Sequence, residues 1–304
     1  MAAPLPARRP RPRRSGAGGL RLPLVVTVAL ALAACVRLPP PDPLAAVAGA
    51  RDAALPSTVR VLAWNVHKER AAGFAPHLAG YLRDGVDLVL LQEACLDGAA
   101  PALLATSLDW RIAPSWAPAG RTSDWLIGCR HGARCATGVL TAAAAPPLRQ
   151  TVLRTAGREL GVTPKTALVT EYAVRGSANT LLVANVHALA FQSLDVFEAE
   201  LDRVVTVLRP HRGPLLLAGD LNTWTRRRLA AVDHAAQALG LSPVAFPGGA
   251  RSTGVGFQPL DHVYQRGLRV RADSIEVGDE ARTGVSDHNA LRVTVELADA
   301  AIQR

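Results

Sequence analysis

Six polar residues stand at the ends of apolar stretches in this sequence, where their side chains could act together. They are Asn65, Glu93, His187, Asp220, Asn222 and Asp261, and Asp287 and His288 precede the last apolar stretch. Carboxylate and amide oxygens are the ligands that a hard cation such as Mg²⁺ prefers. Imidazoles beside such a cation can move protons near neutral pH. These residue types therefore predict a metal-assisted hydrolysis.

The elements that must position these residues alternate between strands and helices. Apolar stretches predict strands at residues 58–65, 86–91, 137–141, 166–174, 180–187, 215–218, 260–264, 268–277 and 290–297. Apolar residues at helical spacing predict helices at residues 75–83, 194–208 and 223–239. Because strands of an α/β fold bring their ends to one edge where ligands bind, we expect the polar residues to meet there. The elements together predict one domain of residues 57–300.

Taken in order, these motifs resemble the endonuclease/exonuclease/phosphatase superfamily, the group of DNase I-like proteins, over residues 58–297. The chain most resembles an uncharacterised bacterial branch, which shares the segments Lys165–Thr170 and Gly219–Asn222, Trp224 and the run Arg226–Arg228. The resemblance implies an α/β fold in which two mixed β-sheets pack face to face, flanked by helices, as a four-layer sandwich.

The resemblance also implies a set of metal ligands. Glu93 matches the main metal carboxylate, Asn65 the amide that supports it, and Asp287 a second carboxylate on the metal side. The implied cofactor is Mg²⁺, with Mn²⁺ as an alternative. Taken alone, Asn65 could cap a strand and Asp287 a loop, so these assignments depend on the motifs occurring together.

Five further positions match catalytic residues of that superfamily. Asp220 and Asn222 match the pair that orients the attacking water and holds the scissile phosphate. His187 matches a histidine that protonates the leaving oxygen, and Asp261 and His288 match a carboxylate–imidazole pair. An aspartate beside an imidazole fixes its tautomer and raises its pKa, which suits a base or a phosphate clamp.

Basic residues and cysteines give weaker signals. Lys165 opens a strand near the position where relatives place a phosphate-contacting residue, and we predict the same contact for it. Most of the run Arg226–Arg228 is expected to face solvent. Lys68, in a loop beside the site, is expected to shape it without doing chemistry. Cys129 and Cys135 are either a disulfide that closes a small loop or two unpaired thiols.

The first residues form a targeting signal. Residues 1–34 combine an Arg-rich start with an apolar run of 13 residues, which is too short to span a bilayer comfortably. The run ends at Leu32–Cys35, which resembles a bacterial lipobox and implies lipidation of Cys35; ordinary cleavage is the alternative. The Pro-rich residues 35–56 then form a linker. We expect an exported cell-envelope lipoprotein that is anchored in a membrane.

Net charge limits the choice of substrate. The chain has a formal net charge of +9, but six of its 34 lysines and arginines lie in residues 1–34. The rest of the chain therefore has only three more basic than acidic residues, because all 25 acidic residues lie there. Such an excess is not typical of a dedicated duplex-binding protein. The sequence predicts a monomeric Mg²⁺-dependent phosphoesterase that cleaves phosphodiester bonds, for example as an endonuclease. The alternatives are an envelope phospholipid, sphingomyelin-type or sugar-phosphate hydrolase, and a non-catalytic lipoprotein of the same fold.

Overall fold

The computed structural model describes residues 36–40, 42, 44–46, 52–118, 129, 136–247 and 258–297. The predicted signal peptide, the predicted lipidation site Cys35 and Cys135 lie outside these residues. Within the described part of the chain, no helix is long and apolar enough to cross a membrane.

Strands and helices alternate along the described chain. The strands are β1 (Val36–Arg37), β2 (Leu44–Ala46), β3 (Thr58–Asn65), β4 (Leu88–Cys95), β5 (Asp109–Pro118), β6 (Thr137–Ala143), β7 (Arg149–Arg154), β8 (Thr166–Tyr172), β9 (Leu181–His187), β10 (Leu215–Asp220), β11 (Ser242–Pro243), β12 (Asp261–Arg266), β13 (Leu268–Val270), β14 (Glu276–Val277) and β15 (Leu291–Leu297). The helices are α1 (Phe74–Arg83), α2 (Ala99–Leu104), α3 (Leu194–Leu208), α4 (Arg226–Ala238) and α5 (Glu280–Thr283), with single 3₁₀ turns at His67–Glu69 and Ala272–Ser274.

These strands form two mixed β-sheets. The first sheet has the order β1-β5-β6-β4-β3-β15-β13, with β2 paired to β5 and β14 paired to β15. The second sheet has the order β11-β12-β10-β9-β8-β7. Strands β3 and β4 run parallel in the first sheet, and β9 and β10 run parallel in the second. The other strand pairs in both sheets are antiparallel.

The two sheets pack face to face because successive side chains of a strand point to opposite sides. On β3, Val61 lies in the core between the sheets with Leu216 of β10. The next residue, Leu62, packs with Leu78 of α1 on the outer face. Helices α3 and α4 cover the outer face of the second sheet in the same way. The predicted four-layer sandwich is therefore confirmed.

Five strands were not predicted from the sequence: the longer strands β5 and β7, and the short strands β1, β2 and β11. Strand β5 contains Pro114 and Pro118, and proline is unusual inside a strand. Its pairing with β6 shifts register between Pro114 and Trp116, which accommodates the first proline. Strand β7 is an edge strand with exposed residues, so it lacks an apolar pattern. The predicted strand 268–277 is interrupted by the turn Ala272–Ser274.

Part of the predicted linker is hydrogen-bonded to the sandwich. Strand β1 pairs with the end of β5, and β2 pairs with its beginning. Leu55 is fully buried, and its backbone N–H donates to the carbonyl of Ala173 over 2.9 Å. The described parts of the segment before β3 therefore form backbone hydrogen bonds with both sheets.

The disulfide differs from the pair that the spacing suggested. Cys129 is bonded to Cys95 at the end of β4, and not to Cys135. Cys135 is close to Cys129 in the sequence, which favoured that pair. The fold instead places Cys129 beside Cys95, which lies 34 residues earlier at the end of β4.

Candidate active site

Backbone pairing brings the predicted catalytic residues to one edge of the sandwich. Asp220 ends β10 and lies in register with His187 of the parallel strand β9 and with Asp261 of the antiparallel strand β12. Asn65 ends β3 in the other sheet, and its amide nitrogen donates to Asp220 Oδ2 over 2.9 Å. The ends of both parallel pairs therefore meet at one rim.

A bulge in β4 changes the direction of the chain at Glu93. The pairing of β4 with β6 shifts register between Leu91 and Ala94, and Glu93 has a φ of 54°. Its neighbour Gln92 points between the sheets, where its Nε2 donates to Asn185 Oδ1 over 2.7 Å. Bulges beside active sites often re-aim a side chain in this way. The bulge thus frees the Glu93 carboxylate for contacts at the rim.

Asp220 is the buried centre of the site, with 2% of its surface exposed. Besides the amide of Asn65, its Oδ2 lies 3.4 Å from His187 Nε2 and 3.8 Å from His288 Nε2. Its Oδ1 accepts a hydrogen bond from the backbone N–H of Asn222 over 3.0 Å. Two imidazoles and an amide therefore surround one carboxylate.

Asp261 holds the ring of His288 in a fixed orientation. His288 Nδ1 donates to Asp261 Oδ2 over 2.8 Å, which leaves Nε2 directed at Asp220. Burial disfavours the charged ring, but the carboxylates of Asp261 and Asp220 outweigh burial and raise the pKa of His288 to about 10. At neutral pH this side chain is an imidazolium ion.

His187 has the opposite electrostatic character. Its Nε2 lies 2.9 Å from Lys165 Nζ. Burial and then the ammonium group of Lys165 lower the pKa of His187 to about 3, although the nearby carboxylates oppose this change. The neutral ring therefore accepts a hydrogen bond from Lys165.

Two ammonium groups meet the carboxylate of Glu93. Lys68 Nζ lies 3.2 Å from Glu93 Oε2, and Lys165 Nζ lies 3.6 Å from Oε1. Burial alone would raise the pKa of Glu93, but these two lysines hold it well below its usual value. Lys68 and Lys165 are the only lysines in the chain.

Lys68 contacts the predicted metal ligand Glu93, a contact that was not predicted from the sequence. It lies in the turn His67–Glu69, whose three residues have φ values of 46°, 57° and 54°. Glu69 secures this left-handed turn because its buried carboxylate accepts hydrogen bonds from the N–H groups of Cys95, Ala99 and Ala100. Such backbone strain persists only where the surroundings enforce it. The sequence feature that could have pointed to Lys68 is the scarcity of lysine, because the chain has only two.

The acidic side chains of the rim could hold a divalent cation. Ligand atoms of Asp220, Asp261 and His288 lie within 4.8 Å of one another. Asp261 Oδ1 is buried without a hydrogen-bond partner among the described residues. The predicted ligands Glu93 and Asp287 add carboxylates at this rim. Because Mg²⁺ keeps several waters or phosphate oxygens and needs few protein oxygens, the carboxylates of this group fit it, whereas the protonated ring of His288 does not act as a ligand.

The remaining predicted ligands lie at the border of the site. Asp287 is half exposed, and its Oδ1 lies 3.6 Å from His67 Nδ1 and 4.0 Å from His288 Nε2. Asn65 Oδ1 accepts a hydrogen bond from the backbone N–H of His67 over 3.1 Å. His262 lies off the site, 2.6 Å from the hydroxyl of Thr223.

Arg228 points into the protein, whereas Arg226 and Arg227 are exposed as expected. Its guanidinium group donates to the backbone carbonyls of Leu189, Asn222 and Gln192. The side-chain amide of Asn222 in turn donates to the carbonyl of Ala188 over 2.9 Å. Arg228 and Asn222 thus secure the loop of residues 188–192 that follows β9.

Comparisons with known proteins agree with this fold. Residues 62–288 match the endonuclease/exonuclease/phosphatase family. The chain is 37% identical over 236 residues to a UPF0294 protein of Yersinia pseudotuberculosis, a match that covers 77% of this chain and 82% of that protein.

Solved structures share the fold at low sequence identity. The human Nocturnin catalytic domain with bound sulfate superposes with a TM-score of 0.59 at 16% identity, covering 79% of this chain and 94% of that one. D. rerio TDP2 complexed with a single-strand DNA product gives a TM-score of 0.55 at 17% identity, covering 79% and 99%. The chain belongs to the endonuclease/exonuclease/phosphatase family, whose members are phosphoester hydrolases that generally depend on divalent metal ions.

Proposed function

We propose that this protein is a Mg²⁺-dependent phosphodiesterase. The environment of Asp220 carries the proposal, because this buried carboxylate contacts the imidazoles of both His187 and His288. The two rings have pKa values displaced in opposite directions, to about 3 and about 10. Titratable groups with such opposed environments are typical of acid–base sites.

Three positive groups would bind the phosphate. The ammonium groups of Lys68 and Lys165 meet at Glu93, and the imidazolium of His288 lies on the other side of His187 and Asp220. Phosphoryl transfer depends mainly on positioning and on stabilising the charge of the transferred group. These cations would stabilise that charge in a buried setting.

Proton transfer would use groups on opposite sides of Asp220. Asp220 would take a proton from the attacking water, and Asp261 would keep His288 oriented toward the same carboxylate. The proton for the leaving oxygen would come from the pair Lys165 and His187, whose nitrogens lie 2.9 Å apart. Because His187 is neutral, the ammonium group of Lys165 is the first donor of this pair.

The predicted metal ligands complete this scheme. Glu93, Asp287 and the amide of Asn65 would hold Mg²⁺, with Mn²⁺ as a replacement. When bound, the ion supplies Lewis-acid polarisation of a phosphoryl oxygen. Binding it at Glu93 requires that Lys68 or Lys165 move away from that carboxylate or share it.

Nucleic acid is the first substrate to test, and an envelope lipid or sugar phosphate is the second. The structure of D. rerio TDP2, which shares the fold, contains a single-strand DNA product. The alternative is supported by the predicted lipid anchor at Cys35, which would hold the site near membrane phosphoesters. We further propose that the protein is an exported, monomeric lipoprotein of the cell envelope. The Cys95–Cys129 disulfide supports an oxidising compartment.

The proposed activity is tested with the variant Asp220→Asn, which keeps the size and removes the charge. Residues 36–304 would be incubated with supercoiled plasmid and with bis(p-nitrophenyl) phosphate, in Mg²⁺ or in EDTA. We expect turnover that EDTA abolishes and that the variant reduces by about 10²-fold or more. The matched control is Asp273→Asn on the exposed surface, which should retain activity. Equal turnover in wild type and Asp220→Asn would refute the proposed site.

A further inference from the structure

A cavity of about 260 Å³ opens beside the proposed catalytic groups. Its lining includes Lys165 and His187, with Lys68 and Glu93 beside them. Trp116 and Phe191 also line it. Asp220 and His288 do not line it. The cavity therefore adjoins the side of the site from which the leaving oxygen would receive its proton.

Two large apolar side chains at the cavity are exposed. Leu160 is 69% exposed and Phe191 is 68% exposed, and both line the cavity. Exposed apolar side chains that gather at a concave site are typical of ligand contacts. Trp116 and Val162 continue the same apolar surface inward, and both are buried.

A buried carboxylate fixes the backbone that carries these two side chains. Glu159, with 7% of its surface exposed, accepts hydrogen bonds from the backbone N–H groups of Ala190 and Phe191. The backbone of Glu159 also pairs with that of Thr163, which closes a tight turn around Leu160. A charge buried in this way is costly unless it is hydrogen-bonded. Its carboxylate joins the turn of residues 159–163 to the loop of residues 188–192.

Arg228 secures the same loop from the opposite side through the carbonyls of Leu189 and Gln192. The loop that carries Phe191 is therefore anchored by a buried anion on one side and by a buried cation on the other. A binding surface that is rigid before its ligand arrives loses less conformational entropy on binding.

We propose that this cavity binds one aromatic ring system carried by the phosphoester substrate, namely an unpaired nucleobase next to the scissile phosphate. The inference rests on the proposed phosphodiesterase function and specifies its substrate class. The cavity is smaller than the pockets of about 300–1,000 Å³ that take drug-sized ligands, so it suits a single base and not a diacyl lipid. The exposed ring of Phe191 would stack on the base, and Lys165 would contact the attached phosphate.

The test is a binding measurement on residues 36–304 in EDTA, by calorimetry. Its ligands are thymidine 5′-monophosphate, thymidine 3′-monophosphate, deoxyribose 5-phosphate and cyclohexyl phosphate. We expect at least one thymidine monophosphate to bind about tenfold more tightly than deoxyribose phosphate and cyclohexyl phosphate. In Phe191→Ala this advantage should fall to about twofold or less, while the affinity for deoxyribose phosphate stays unchanged. Leu148→Ala, which truncates another exposed leucine away from the cavity, is the matched control and should keep the full advantage.

Two outcomes would overturn the assignment. Equal affinity for the thymidine and deoxyribose phosphates would show that no base is bound, and equal affinity for cyclohexyl phosphate would show an apolar pocket without preference for aromatic rings. Both outcomes leave the hydrolysis experiment on Asp220 unaffected. Conversely, tight thymidine phosphate binding without hydrolysis would contradict the phosphodiesterase proposal and keep the base site.

Discussion

At the scale of single residues, the contacts of Glu93 deserve the first test. The main predicted metal ligand carries ion pairs with both lysines of the chain. Under the proposed function, a cation at Glu93 would compete with the ammonium group of Lys68, whereas a phosphate bound there would be stabilised by the same ammonium group. The two ligands therefore place opposite demands on Lys68.

Lys68→Met should separate these demands. We expect the affinity for Mn²⁺ to rise by about 3- to 10-fold because a competing positive charge is removed. Turnover at saturating metal should fall by about tenfold or more because the phosphate loses a cation. Metal affinity would be measured by electron paramagnetic resonance, with Lys68→Arg as the charge-preserving control. Unchanged Mn²⁺ affinity in Lys68→Met would contradict the competition.

The two site histidines should give the metal-free protein a stability maximum near neutral pH. Between about pH 6.5 and 10 the folded protein keeps a proton on His288 that the unfolded chain has released, so stability falls as pH rises. Between about pH 6.5 and 3 the ring of His187 is protonated in the unfolded chain but stays neutral in the folded protein. Stability therefore falls as pH falls through this range.

Urea denaturation in EDTA, repeated from about pH 3 to about pH 10, would measure the fall of stability on both sides of the maximum. We call these the acid limb and the alkaline limb. His288→Gln should flatten the alkaline limb and leave the acid limb in place, and His187→Gln should do the reverse. An alkaline limb that is equally steep in wild type and His288→Gln would show that folding does not raise the pKa of that ring.

At the scale of elements, local backbone geometry places two side chains of the site. The bulge in β4 re-aims Glu93, and the left-handed turn His67–Glu69 carries Lys68 to it. The turn depends on Glu69, whose carboxylate also accepts from the first N–H groups of α2. One buried acid thus fixes a turn, a strand end and a helix start.

Glu69→Gln should weaken all three together. A glutamine has one acceptor oxygen, and its NH₂ group would face backbone donors, so we expect a loss of about 2–3 kcal/mol in the free energy of unfolding. Urea denaturation followed by circular dichroism would measure it. Glu198→Gln, on the exposed face of α3, is the matched control and should change stability little. A loss below 0.5 kcal/mol, on the scale of ordinary surface substitutions, would contradict the role of Glu69.

Sequence patterns predicted the elements whose apolar signal is strong. Strand β3 and helix α3 have the predicted bounds, and the polar residues that follow buried strands do meet at one rim. Strand β5 was missed because its prolines and its bulge interrupt the pattern. The contact of Lys68 and the partner of Cys129 depend on a left-handed turn and on tertiary approach, which residue types alone do not encode.

At the scale of the whole molecule, the predicted anchor would determine where the protein is located. The sequence predicts an anchor at Cys35, a linker and then the catalytic domain. Cys35→Ser should shift the protein from the membrane fraction to the soluble fraction of its bacterial host without changing turnover, because lipidation needs the thiol. Immunoblots of the two fractions would measure the shift, with Cys135→Ser as the control. A variant that stays fully in the membrane fraction would refute the predicted lipidation.

The pairing of β3 with β15 has a consequence for how the protein is made. Strand β3 lies near the start of the domain and β15 near its end. Their pairing brings Asn65, which ends β3, close to His288, which precedes β15. The indole N–H of Trp64 donates to the carbonyl of His288 over 3.0 Å, and the hydroxyl of Ser286 donates to the carbonyl of Asn65 over 2.7 Å. A nascent chain that has not yet reached residue 288 lacks the partner of Asp261, however well its first strands have folded. The proposed site is therefore complete only when the chain includes residue 288, and fragments that end before this residue should be inert.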